Sequence, residues 1–358
     1  MVAVCGLLPA ALAAQIPWDE SRWEVQAQES RVENYLGREG LFLRGGNAWL
    51  KGVDFEDGVI EYDMAATSET GFHGLRFRAV GRFDSEHVYL RPHLSGLPDA
   101  VQYNPIFHGI SSWQIYADAR YVLPATITPE RWVHVRVAVQ GQRMEMTIDG
   151  ELLVFPDLIR ESASGEVALN SSGAGGVRCA NVVVRPGADP EFVGMQGAQG
   201  VEPEPGTVSV WRVSEPFVEA EIDGVLELPR SVATTQSWSR LRAGVRGIAN
   251  IAELTGMVDG RNTVFAAIAL DVETARTVRI KLGFSDRARV FLNGRQLFSA
   301  ADGFATRDYR FLGTMGLYDE LFLPLEAGSN ELWVAVSETF GGWGISMQLI
   351  DGDGVIVG

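Results

Sequence analysis

Trp132-Val-His-Val-Arg-Val-Ala-Val139 is followed by Arg143-Met-Glu-Met-Thr-Ile148, then Asp149-Gly150 and Leu152-Leu-Val-Phe155. Apolar and polar residues alternate through the first two runs, the period of a strand with one face on a core. Asp-Gly between such runs predicts a two-residue hairpin turn. Working outward, Leu41–Arg44, Val59–Met64, Gly74–Val80, Val88–Arg91, Trp113–Tyr116 and Gly176–Val184 read as further short strands. Eight or more strands without an amphipathic helix predict an antiparallel sandwich or jelly roll.

The chain continues into a second β-rich region. Arg185 to Thr207 carries Pro, Gly and Glu with no period and reads as a connector. Beyond it, Val208–Val213, Thr263–Leu270, Thr277–Phe284, Ala288–Leu292, Asp319–Leu325 and Glu331–Val336 read as strands, with Asn293-Gly294 as a second hairpin turn. The expected organisation is an all-β protein of two β-sandwich (jelly-roll) domains, 15–186 and 208–358, joined by a Pro/Gly-rich linker over 187–207. Residues 1–14 are apolar, end in small residues and include Ala11-x-Ala13, which reads as a secretory leader and predicts a secreted or periplasmic protein.

Composition bounds the function. The 358 residues carry a formal net charge of −16, with 46% hydrophobic and 21% charged residues, so core material is ample. Lys51 and Lys281 are the two lysines. A chain this acidic argues against nucleic-acid binding, which needs clustered cations. No stretch of 18 apolar residues predicts a transmembrane span. Without the leader and its Cys5, Cys179 stands alone, which predicts a small core side chain rather than a disulfide.

Two resemblances rest on particular runs. Phe55–Asp63, Tyr89-Leu-Arg-Pro-His93, Gln102-Tyr103 to Trp113–Tyr116, and Arg131–Val137 resemble the concanavalin-A-like, laminin-G-like jelly rolls. Within that group the chain is similar to the 3-keto-disaccharide hydrolase domain type, related to glycoside hydrolase family sixteen. Gly283–Gly294 and Leu323–Leu332 are similar to galactose-binding-like β-sandwiches, a fold attached to many glycosidases. The resemblances imply a glycan or glycoside partner. They imply a fold more firmly than an activity, since these folds host binders and hydrolases alike.

Catalysis of the family-sixteen kind needs a pair of carboxyl groups on one strand face. Glu61 and Asp63 share a face, but Ala66 stands where the resemblance wants the last carboxylate. A second group is richer in chemistry. Arg76, Arg78, Tyr89, Arg91, His93, Gln102, Tyr103, Trp113 and Tyr116 supply guanidinium, amide and ring surfaces of the kind that bind sugars. If that face were catalytic, His93 or His108 would be the candidate base, with Asp99 beside it. Asp54, Glu56 and Asp57 are candidate oxygen ligands for a structural Ca²⁺. Trp343, flanked by glycines, is either a sugar platform or a plug for one end of the second sandwich. Three functions stay open at this point: a carbohydrate-recognition protein, a glycoside or 3-keto-disaccharide hydrolase, and a protein-interaction scaffold.

Overall fold

The structure is a computed structural model that describes residues 15–161, 163–194, 203–228, 237–304 and 314–358. The expected leader, 1–14, and residues 195–202 of the expected connector lie outside the described residues. The protein is all-β and divides into two compact units. The first takes in residues up to 80, 86–102 and 122–194; the second takes in 81–85, 103–121 and the chain from 203 onward.

Along the front of the chain run β1 (Trp23–Tyr35), β2 (Arg38–Phe55), β3 (Gly58–Ala66), β4 (Gly71–Val80), β5 (Asp84–Leu90), β6 (Val101–Tyr103), β7 (Ile106–Phe107), β8 (Ile110–Ser111), β9 (Val122–Leu123), β10 (Val133–Gln140), β11 (Arg143–Ile148), β12 (Glu151–Phe155), β13 (Gly165–Gly173) and β14 (Val177–Pro186). The order is β12-β11-β10-β3-β14-β2-β13-β4-β5-β6-β9, with β1 on β2. β2 joins the two halves of this path. Leu41–Leu43 pair with β14, whereas Gly46–Phe55 pair with β13. At the change of partner, a Cβ on Gly46 would sit 2.0 Å from the Gln26 carbonyl oxygen, so only glycine fits the crossing. β1 is the other arm of a hairpin whose turn, Leu36-Gly37, has φ of 45° and 77°.

Period-2 alternation sorts the side chains of this unit. Ile60, Tyr62 and Met64 of β3, Val133, Val135 and Val137 of β10, Leu75 and Phe77 of β4, and Val88 and Leu90 of β5 are buried. On the outward side of β3, Glu61 pairs with Arg185, and Asp63 takes hydrogen bonds from Arg38 (2.6 Å) and Asn181 (2.6 Å) and meets the His134 ring at 2.9 Å. Those two carboxylates, half-buried Glu61 and buried Asp63, are satisfied by side chains around β3.

The rear of the chain supplies β15 (Val210–Ser214), β16 (Trp238–Arg242), β17 (Ala249–Asn250), β18 (Thr263–Val272), β19 (Arg276–Ser285), β20 (Arg287–Leu292), β21 (Arg295–Ala301), β22 (Asp319–Leu325), β23 (Gly328–Ser337), β24 (Gly344–Leu349) and β25 (Ile356–Val357). They form the sheets β16-β15-β18-β23-β20-β21 and β17-β24-β19-β22. Trp211, Phe284, Val290, Leu323, Val334 and Trp343 lie in one apolar cluster. Trp343 is fully buried and donates to the Val336 carbonyl at 3.0 Å, so it plugs the sandwich rather than presenting a sugar platform.

Segment 103–121, read from sequence as part of the front domain, belongs to the second unit. Ile110 enters its apolar cluster and Phe107 packs against it. Trp113–Tyr116 is a turn, not the expected strand. Gln114, Ile115 and Tyr116 are all buried there, and a Cβ on Gly344 would come within 3.1 Å of the Ile115 Cδ1. Among the described residues no helix is long and apolar enough to cross a membrane.

Candidate functional site

The polar face lies on β4, β5, β6 and β13. In β5 the side chains of Glu86, Val88 and Leu90 alternate with those of His87 and Tyr89, and Arg91 continues the second row. Tyr89 donates its hydroxyl proton to Gln102 Oε1 at 2.7 Å. Arg91 donates through Nη2 to the Tyr89 hydroxyl at 2.9 Å and to the same Gln102 oxygen, and through Nη1 to Asp99 Oδ2 at 2.6 Å. The Arg91 guanidinium carbon lies 5.1 Å from the Tyr89 ring centroid and 5.9 Å from that of Phe72. Phe72 in turn stands edge-on to Tyr89 and to His93, each at 5.7 Å.

Next to this network stand Arg76 and His87. The His87 ring lies 5.4 Å from that of Tyr89. His87 is 7% exposed, and neither of its ring nitrogens makes a hydrogen bond, although Asn170 of β13 approaches it. Burial first, and the Arg76 charge second, push the imidazole down to about 3, so it is neutral at ordinary pH. Asn170 itself donates to Asn47 Oδ1 at 2.9 Å. The Nε of Arg76 and the Nε of Arg91 are buried without partners. Buried donors with no acceptor are rare in folded proteins because each forfeits its hydration. Here there are two, Arg76 on β4 and Arg91 just past the end of β5, along with the unpartnered His87 ring on β5.

Five of the residues singled out in the sequence therefore meet: Arg76, Tyr89, Arg91, His93 and Gln102, with Asp99 as Arg91's carboxylate. The strand does not stay regular through Pro92, as β5 ends at Leu90 and Pro92–Leu94 forms a 3₁₀ turn. His93 still reaches Phe72, and the Gly71 N–H donates to its Nδ1 at 3.3 Å. With Nδ1 an acceptor, the neutral ring carries its proton on Nε2 and offers a donor rather than a base. Burial, and then Arg91, lower its pKa.

The other named residues have different partners. Arg78 does not face the site. A bulge opposite Glu166–Ala168 places it at φ 50°, and its side chain turns to the Glu56 carbonyl (2.7 Å), the Asp57 carboxylate (2.8 Å) and the Gly141 carbonyl (2.7 Å). That engagement also bears on the Ca²⁺ candidates. Asp57 already faces a guanidinium, Asp54 and Glu56 are exposed, and among the described residues no three His, Cys, Asp or Glu gather as a metal site. Tyr103, Trp113, Tyr116 and His108 belong to the second unit. Tyr103 packs on Tyr121 with centroids 5.6 Å apart, Trp113 on Phe304 at 5.3 Å, and Tyr116 on Tyr121 at 5.5 Å. His108 Nδ1 lies 2.8 Å from the Ala252 carbonyl oxygen, to which it donates.

Phe72, His87, Asn47 and Asn170 join the cluster without having been read from the sequence. His87 was within reach of the period, two residues before Tyr89. Asn170, a lone amide in Val-Ala-Leu-Asn-Ser, gives a weaker signal. The second unit carries a separate cavity of about 580 Å³, walled in part by Trp211, Arg212, Trp238 and Arg240.

No protein-family model matches the sequence, and no curated protein does. Solved structures give distant likenesses. A carbohydrate binding module of family 66 from Bacillus subtilis shares 15% identity over 45% of this chain and 92% of its own, with a TM-score of 0.35. A Bacillus licheniformis β-glucanase shares 12% identity over 48% of this chain and 94% of its own, also at 0.35. A family 35 carbohydrate binding module from an environmental isolate shares 20% identity over 27% of this chain and 72% of its own, at 0.22. Likenesses this remote leave the activity of this chain to its own side chains.

Proposed function

We propose that the protein recognises a carbohydrate at the face of β4, β5, β6 and β13 that carries Tyr89, Arg91 and Gln102. The observation that carries this reading is the Tyr89–Gln102–Arg91–Asp99 network with buried, unpartnered donors beside it. The network fixes the Arg91 guanidinium, so little side-chain entropy remains to be lost on binding. A sugar brings hydroxyl groups that can bond to guanidinium and amide side chains and a C–H face for the Phe72 ring. The reading includes export, from the leader expected over 1–14, and sits with the laminin-G-like resemblance of the front half.

Binding is favoured over hydrolysis by the same geometry. Two-carboxylate chemistry needs one group held as an acid and another free as base or nucleophile. Asp99 is spent on Arg91, His93 presents a donor, and Glu61 and Asp63 on β3 are bound by cations. The test is a glycan array probed with the full chain and with Arg91→Ala. The expected result is binding to a subset of glycans that falls at least tenfold in the variant. Equal binding by both proteins places the site elsewhere. Release of product from ordinary or 3-keto disaccharides by the full chain overturns the non-catalytic reading.

A further inference from the structure

Among the charged side chains of this face, Arg76 is the one left unmatched. Arg91 has Asp99 and Arg78 has Asp57. Arg76 has no ion pair and no hydrogen bond among the described residues, and its Nε is buried. It is half-buried, and burial lowers its pKa. Cations that lose water in a folded protein are nearly always matched by an anion or by carbonyl oxygens. A chain with 46 acidic residues against 30 basic ones had many carboxylates to place here. Its nearby titratable neighbour on β5 is instead the neutral His87 imidazole, and its partner on β13 is Ala168.

Resting on the carbohydrate reading above, we propose that the ligand is an acidic glycan, whose negatively charged ring substituent seats against Arg76 while its hydroxyls meet Arg91, Tyr89 and Gln102. The required chemistry is an oxyanion on a sugar ring, either a uronate carboxylate or a sulfate ester. A planar guanidinium can bind both in a two-pronged manner. The net charge of −16 opposes a polyanion at long range. That repulsion is screened beyond about 8 Å at physiological salt, while the contact at Arg76 is not.

The experiment titrates the full chain with uronate oligosaccharides, their carboxyl-reduced neutral counterparts and sulfated galactan oligosaccharides, at low and physiological salt. The proteins are the wild type, Arg76→Gln, Arg76→Lys and Arg91→Ala. The expected result is that at least one acidic series binds tenfold or more tightly than its neutral form. Arg76→Gln erases that preference, Arg76→Lys keeps part of it, and Arg91→Ala weakens acidic and neutral forms alike. The uronate and sulfate arms identify the anion. Thermal unfolding separates this role from a structural one, since losing an unmatched cation leaves the melting temperature of Arg76→Gln unchanged or higher. Neutral and acidic forms bound equally, with Arg76→Gln indifferent, overturn this inference and leave the carbohydrate reading standing. Binding of none of the glycans by the wild type overturns both.

Discussion

Arg76 and Arg78 stand two positions apart in one strand and have opposite fates. A regular strand would point both the same way. The bulge at Arg78 re-aims the second guanidinium to the Glu56 and Gly141 carbonyls and the Asp57 carboxylate, where it ties two turns together and lies 3.8 Å from the fully buried Glu86. Arg78→Ala removes the cation and leaves those acceptors stranded, so urea unfolding should show a loss of about 3 kcal/mol. The histidines make a second residue-scale prediction. Burial pushes His73 down to about 4 and His87 to about 3. The unfolded chain protonates both near the ordinary value, so between about pH 6.5 and 4 it binds more protons than the folded one. Stability therefore rises with pH through that window, and acidifying from pH 7 to 5 costs about 2 kcal/mol per histidine. In His87→Gln the pH dependence of the urea midpoint should halve; an unaltered slope contradicts the assignment.

At the scale of elements, the site depends on how closely β4 and β5 pack. A Cβ on Gly74 would come 2.0 Å from the Val88 carbonyl oxygen and 2.7 Å from the Tyr89 Cα. Gly74→Ala should therefore push β5 outward, cost about 2 kcal/mol in urea unfolding and weaken glycan binding together with stability. Much at this scale was legible in the sequence. The Asp149-Gly150 and Asn293-Gly294 turns adopt the positive φ pair their residues predict, 47° and 89°, and 51° and 82°. The strand period placed Tyr89 and Arg91 on one face. Other features carry no local signal. A bulge depends on register with β13, so the departure of Arg78 could not be read from its own strand. Trp113–Tyr116 reads as a strand from its apolar residues, yet Gln114, Ile115 and Tyr116 are buried one after another in a turn.

For the whole molecule, sequence order and packing part company at 103–121. Nothing in that run marks it as foreign to the front domain, because its partners lie more than a hundred residues downstream: Asn250 bonds to Ser112 at 3.3 Å, and the Gln114 N–H donates to the Gly341 carbonyl at 3.0 Å. Three residues named as sugar contacts and one named as base belong to the second unit with that segment. What remains on the face is smaller and more coherent, five named residues joined by Phe72, His87, Asn47 and Asn170. The measurement that tests this most directly is amide hydrogen exchange across the full chain, with and without a glycan that it binds. The account predicts added protection in Phe72–Arg76, His87–Arg91 and Asp99–Gln102. Protection confined to Trp238–Arg240, beside the cavity of the second unit, with the front face unchanged, would contradict it.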